Sequence, residues 1–263
     1  MRRLSDLSFG GFVVLALFFL YAPVAVLVLF SFNDSRLMTL PLSGFTWDWY
    51  KAVFVNEAMM RALRNSLYVA SVATAISLVI GTMAAFALDR IRFPGKTMFR
   101  RIILLPISLP GIIIGISILN MSSAVGLRLS LTTVILGHTA MLLAIVVTQV
   151  FARLQRMDRS IEEAAADLGA SPWQTFMRVT LPNLRSALIG SGLLSFTVSF
   201  DDVPITFFLT GRENTLPMYI YSAMRRGPSP EFNAVSTMIF IGSLALIVFS
   251  IILLTYDKGE SNV

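Results

Sequence analysis

An all-α, polytopic membrane fold is what this sequence predicts, and three observations carry the prediction. Of the 263 residues, 56% are apolar and 14% are charged, with a mean hydropathy of +0.75, outside the range of ordinary soluble domains. Six apolar runs, at 9–32, 65–88, 102–123, 129–152, 186–210 and 232–255, are each long enough to cross a hydrocarbon core, which takes about 20 residues of helix. Basic residues gather in the segments between the runs on alternate sides, as cytoplasmic loops require. The whole chain, 1–263, therefore reads as one transmembrane domain with a polar loop at 153–185.

The first run, 9–32, is too long and lacks the small-residue site of a cleavable signal peptide, so it is expected to stay as a span. After it, the segment 33–64 carries Trp47, Asp48, Trp49 and Tyr50. Paired tryptophans suit a headgroup-level anchor and equally the wall of a substrate path. The second run, 65–88, is uninterrupted. In the third, Pro106, Pro110, Gly111 and Gly115 predict a bend, because a proline withholds an N–H and its ring crowds the preceding turn. Broken helices at membrane depth are tolerated beside protein or a water-filled cavity, so this bend is expected beside a translocation path. The fourth run carries the single histidine, His138, read as an interhelical hydrogen-bonding group.

Charge sets the orientation. With the N-terminus inside, thirteen of the 21 Lys and Arg fall inside: Arg2, Arg3, Arg90, Arg92, Lys96, Arg100, Arg101, Arg153, Arg156, Arg159, Arg178, Arg185 and Lys258. The short segment 89–101 alone holds five of them against one acid, Asp89. Both termini and the loop 153–185 are then cytoplasmic. The net charge of +6 is a topology signal and implies no nucleic-acid partner, since the basic residues do not interleave with aromatics on one face. No cysteine is present and histidine occurs once, which leaves no metal site to propose.

In the cytoplasmic loop, Glu163-Ala164-Ala165 is followed after three residues by Gly169, and after nine more by Val179-Thr180-Leu181-Pro182. Ser160 with Glu163 has the form of a capping box that opens a helix, and Gly169 suits the left-handed residue that closes one. Ser171, Pro172 and Gln174 then supply a second cap, a first-position proline and a second box. Two short helices are expected to meet at a glycine elbow. This pattern resembles the EAA loop of the membrane subunits of ATP-binding-cassette importers, with Val179 for the usual isoleucine. The resemblance implies that Glu163, Ala164, Ala165, Gly169, Ser171, Leu181 and Pro182 couple the chain to an ATPase cleft. The sequence contains no Walker-type phosphate loop, so ATP and its magnesium are expected on a partner chain and no cofactor on this one.

Asp201 and Asp202 are the most costly residues of the fifth run, because a centred acid costs about 2.5 kcal/mol or more. Ser191, Ser195 and Ser199 precede them at spacings of four and share a stripe that runs into Asp202. Asp201 points about 100° away, unless a kink at Pro204 turns both acids toward one cavity. Counted from Arg185 the pair lies roughly 24 Å along the helix, toward the outer side. An intramembrane enzyme would need paired catalytic groups at one depth, and His138 with the two aspartates are the candidates for it.

Several stretches from end to end resemble the second permease subunit of the spermidine/putrescine importer group: Ser31–Arg36, Gly44-Phe45-Thr46, Trp49-Tyr50, Leu194–Val203 and Ser229–Ala234. The resemblance implies a permease that works by alternating access. Its partners would be a homologous permease in a heterodimer, two ATPase subunits, a periplasmic solute-binding protein and the lipid bilayer of the bacterial inner membrane. It also implies Asp201, Asp202, Ser199 and Trp49 as the substrate path. Typical polyamine permeases carry an acid directly after the proline of the third span, whereas Gly111 follows Pro110 here. Relatives in the group that carry opines, 4-aminobutyrate-like amino-acid derivatives or phosphonates leave those cargoes open. An ATP-independent carrier or channel is the alternative from another class, and it leaves the elbow unexplained.

Overall fold

The computed structural model describes residues 2–225, 227 and 229–259. Both chain ends, which the charge count puts in the cytoplasm, reach outside the described residues. The fold is all-helical, and among the described residues there is no strand, only an isolated bridge between Asn33 and Phe45. In chain order the helices are α1 (Arg2–Phe30), α2 (Asp48–Val55), α3 (Glu57–Arg90), α4 (Lys96–Ser108), α5 (Gly111–Ala124) and α6 (Leu131–Gln155). They continue as α7 (Ser160–Asp167), α8 (Pro172–Thr175), a π-helical turn (Phe176–Thr180), α9 (Leu181–Phe200), α10 (Pro204–Leu209), α11 (Leu216–Met224) and α12 (Pro230–Gly259).

Among the described residues, three helical stretches are long and apolar enough to cross a membrane: Phe9–Phe30 of α1, α3 and α6. The pair α4 and α5 makes a fourth if counted as one broken span. The predicted runs at 186–210 and 232–255 correspond to α9 with α10 and to α12. At 34 residues, α3 extends beyond its predicted run at both ends, starting at Glu57. Its first turns carry Arg61, Arg64 and Asn65, which continue the helix while contributing nothing to an apolar count.

The expected bend in the third run is a 112° turn between α4 and α5. Leu109, forced toward extended backbone by the following proline, has φ −95° and ψ 139°. Pro110 then caps α5, its carbonyl accepting from the N–H of Ile113 at 2.9 Å. The fifth run is also interrupted. The N–H that Pro204 lacks leaves the carbonyl of Phe200 without its helical donor, and α9 stops there before α10 starts at Pro204.

The chain folds as two compact units, one of residues 1–60 with 220–263 and one of residues 61–219. In the first, α12 packs on α1 and α2, and Asn56 Nδ2 donates to Glu231 Oε2 at 3.5 Å. The apolar side chains of α1 face outward, with Phe18 74% and Phe19 82% exposed, as a lipid-facing helix requires.

In the second unit, α6 is the central element and packs against α4, α5, α9 and α10. One core cluster joins Val69 and Ala73 of α3, Val134 and Leu142 of α6, and Ile205 and Leu209 of α10. Another, closer to the loop, joins Ala85, Val146, Val150, Leu154 and Leu184. Small residues set the close approaches: a Cβ on Gly137 would lie 2.7 Å from both Ile205 Cγ2 and Leu209 Cδ1. α10 is thereby seated against a glycine surface of α6.

Candidate functional site

The predicted elbow is present, and its backbone explains the motif. Gly169 has φ +83°, the left-handed conformation that costs an ordinary L-residue about 1–2 kcal/mol. The N–H of Ala170 donates to the carbonyl of Ala165 at 3.0 Å, and the N–H of Gly169 to Ala166 at 2.9 Å. These are the two bonds of a Schellman stop, so Ala165 of the motif is the acceptor that closes α7. Two residues on, Ser171 Oγ accepts from the N–H of Gln174 at 3.3 Å while Gln174 Oε1 accepts from the N–H of Ser171 at 2.8 Å. Pro172 occupies the first helical position. The second capping box is thus formed as expected.

Two details differ from expectation. Ser160 does not cap α7: it is the first helical residue, and Asp158 Oδ1 accepts from its N–H at 3.0 Å. That backbone donor holds the Asp158 carboxyl below the usual carboxylate range. An aspartate two residues upstream competes well for the role because its short carboxylate reaches the first free N–H. Nor is the second helix short, because α8, the π turn and α9 run on without a break from Pro172 to Phe200. Within the turn the N–H of Leu181 donates to the carbonyl of Phe176, five residues back. Pro182 has no N–H to give to this stretch, and beside it Asn183 Nδ2 donates to the carbonyl of Val179 at 2.8 Å. The Leu181-Pro182 pair therefore marks where the elbow helix is rephased into the membrane helix.

At the tip, Leu168 is 89% and Trp173 66% exposed, unusual for large apolar side chains in a polar segment. Glu163, Ala164, Gly169, Ser171 and Pro182 are exposed with them, while Ala165 and Leu181 are half-buried. Glu162, which the motif does not include, faces the other way: its Oε2 lies 2.8 Å from Arg90 Nη2 and its Oε1 accepts from the Thr180 hydroxyl at 2.6 Å.

Both membrane acids lie in the break between α9 and α10 and face different ways. Asp201 is exposed, whereas the Asp202 side chain is 8% exposed and turns inward. Asp202 Oδ2 accepts from the N–H groups of Ile205 and Thr206 at 3.0 and 3.1 Å, capping α10. The same oxygen lies 3.2 Å from His138 Nε2, and Ser199 Oγ lies 2.7 Å from His138 Nδ1. A proton on Nε2 lets the ring donate to Asp202 and accept from Ser199. Thr206 Oγ1 completes the group, 3.0 Å from Nε2 and 3.3 Å from Asp202. Thr206 follows Asp202 by one helical turn, a spacing visible in the sequence; the contact with His138 is tertiary and was not.

This joins Ser199, His138 and Asp202 in the order of an acyl-transfer triad, and the environment rules against that use. His138 is fully buried, Ser199 is 4% exposed, and Asp202 Oδ2 is engaged by two helix-capping N–H groups. A nucleophile needs an approach path for its substrate, and Ser199 is enclosed. The cluster is a latch between α6, α9 and α10.

Trp49 lies in the other compact unit, half-buried on α2, with its indole N–H donating to the carbonyl of Asn33 at 2.7 Å. Asn33 is a hub of that segment, accepting from the N–H and hydroxyl of Ser43, both at 3.1 Å. Trp47, by contrast, is 65% exposed and meets Phe32 edge-on and Tyr50 at a tilt.

Residues 77–258 match the binding-protein-dependent transport system inner membrane component family, and the chain belongs to that family. It is a transport component and not an enzyme. Among individual proteins, it is similar to the putrescine transport system permease protein PotI of Escherichia coli K12, 38% identical over 245 residues, or 90% of this chain and 86% of that one. It is also similar to the spermidine/putrescine transport system permease protein PotC of Haemophilus influenzae, 36% identical over 91% of this chain and 92% of that one. The fold matches a bacterial ABC transporter that imports the acidic polysaccharide alginate, with a TM-score of 0.73 at 18% identity, covering 97% of this chain and 96% of that one. An inward-facing MetNI methionine ABC transporter matches with a TM-score of 0.65 at 18% identity, covering 76% and 95%.

Proposed function

We propose that this chain is one permease half of an ATP-driven importer of polyamines, with putrescine or spermidine as cargo. A homologous permease completes the pathway, two ATPase subunits carrying ATP and magnesium dock on residues 158–182, and a periplasmic binding protein delivers the cargo. Six spans, α1, α3, α4 with α5, α6, α9 with α10, and α12, cross the inner membrane with both termini in the cytoplasm. Swinging of the elbow then converts an inward-open cavity to an outward-open one by rigid-body movement.

The observation that carries the reading is the elbow: a left-handed glycine between the closing bonds of α7 and the Ser171 capping box, presenting exposed Leu168 and Trp173. The names of PotI and PotC support the cargo. Asp201, exposed at a helix break, is the carboxylate offered to a cationic amine; Asp202 and Ser199 hold the break in shape behind it, and Trp49 contributes to the path from the outer side. Gly111 does not restore a second acid, since even a Cβ there would lie 3.1 Å from Pro204 Cβ.

Reconstituted with its partners in proteoliposomes, the complex should take up labelled putrescine only with ATP inside reach of the ATPase. Asp201→Asn should lower uptake at least tenfold with assembly intact. Unchanged uptake kinetics in that variant would remove Asp201 from the path, and calorimetry showing that the cognate binding protein ignores polyamines would overturn the cargo.

A further inference from the structure

Two adjacent glutamates, Glu162 and Glu163, point in different directions from α7, and only the second belongs to the motif. We propose that Glu162 and Arg90 form the strut that carries elbow movement into the membrane helix α3, leaving Glu163 to face the docked ATPase. The proposal rests on reading the elbow as the ATPase handle.

The strut is a continuous polar chain. Glu162 is held at one end by the Thr180 hydroxyl of the π turn and at the other by Arg90, the last residue of α3. Arg90 Nε lies 3.2 Å from Oδ2 of Asp89, whose side chain is fully enclosed. Asp89 also accepts from Gln155 Nε2 at the end of α6, and its Oδ2 lies 3.4 Å from Arg159 Nη2. The ends of two membrane helices, the start of α7 and the π turn thus share one network. Beside it, a cleft of about 370 Å3, lined by Phe86, Arg90, Glu162, Pro172, Phe176 and Thr180, separates much of the elbow from α3. The Phe86 and Phe176 rings meet edge-on at 5.3 Å, and the ion pair is a charged link across the same gap.

The pair is about four-fifths buried on both sides, so it is screened less than a surface pair. Asp89 fixes Arg90 from behind, which keeps the guanidinium from swinging to follow Glu162. A displaced elbow must therefore pull on the end of α3 itself.

The test uses the full transporter with its ATPase and binding protein in proteoliposomes, reading uptake per ATP hydrolysed, ATPase retention during purification and thermal stability. Glu162→Gln, Arg90→Gln and the double variant form a cycle; Thr180→Val removes the other anchor. Each single variant should keep its ATPase but lower uptake per ATP about fivefold or more, the low end for coupled sites. The double variant should be no worse than either single, because both remove one link. Glu163→Gln should instead weaken ATPase retention. Additive losses in the double variant, an unchanged uptake-to-ATP ratio in Glu162→Gln, or loss of the ATPase from Glu162→Gln to the extent seen with Glu163→Gln would each overturn the strut. If the wild-type chain retains no ATPase, the docking reading fails and the strut with it, an outcome distinct from the other three.

Discussion

Replacing Gly169 with valine isolates the conformational demand of the elbow from every packing effect. A Cβ built on Gly169 meets no heavy atom within 4 Å, so the substitution introduces no clash with a neighbouring element. What remains is the backbone: at φ +83° an L-residue pays about 1–2 kcal/mol, with β-branched side chains at the upper end and asparagine well below it. One to two kcal/mol is a factor of about 5–30 in a two-state equilibrium, here between the elbow and a relaxed loop without the two stop bonds. Uptake at limiting ATPase concentration should therefore fall in the order Gly, Asn, Ala, Val, with valine about 5–30-fold below wild type, while saturating ATPase recovers much of the loss. The graded series is the assay's strength, since a contact effect would rank the residues by size. Full transport in Gly169→Val, or asparagine no better than valine, would refute the reasoning.

Other perturbations separate packing from function. Gly137→Val should lower the thermal midpoint of the detergent-solubilised protein by overpacking worth about 1–3 kcal/mol, because its side chain would drive into Ile205 and Leu209. Gly190→Ala, with Gln149 Oε1 at an ordinary 3.7 Å, should not lower that midpoint in the same assay, since alanine also favours the helix. His138→Ala should destabilise by about 1–3 kcal/mol for each polar group left unsatisfied, read as faster hydrogen exchange at Ile205 and Thr206. Ser171→Ala should cost about 1 kcal/mol of cap and raise hydrogen exchange at Gln174, with α7 unaffected.

The sequence pattern carried the helices and the elbow further than it carried the interior of the site. Pro110 and Pro204 announced both helix breaks because a missing N–H is a local property. Gly169 and the Ser171 box were legible for the same reason. The cap on α7 was assigned to Ser160 because the box pattern fits, whereas Asp158 accepts from the N–H of Ser160 itself with a charged carboxylate. Asp202 and Ser199 stood on one predicted stripe, but their common partner, His138, lies 61 residues before Ser199, a separation that helical periodicity cannot register. Glu162 was hidden for a similar reason: its role depends on Arg90 and Thr180, contributed by different elements.

The π turn at Phe176–Thr180 gives the chain an adjustable bearing. It holds one residue more than an α-helical turn would, and each residue added to or removed from a helix rotates everything beyond it by about 100°. Excising a single residue there would leave α9 where it is and spin the glycine corner about a quarter of a circle around the helix axis. The heading of the tip carrying Leu168 and Trp173 is thus set by one surplus amino acid below Pro182. Such a spin would also part Glu162 from Thr180 and Arg90, so the length of this one turn and the polar network beside it are set together.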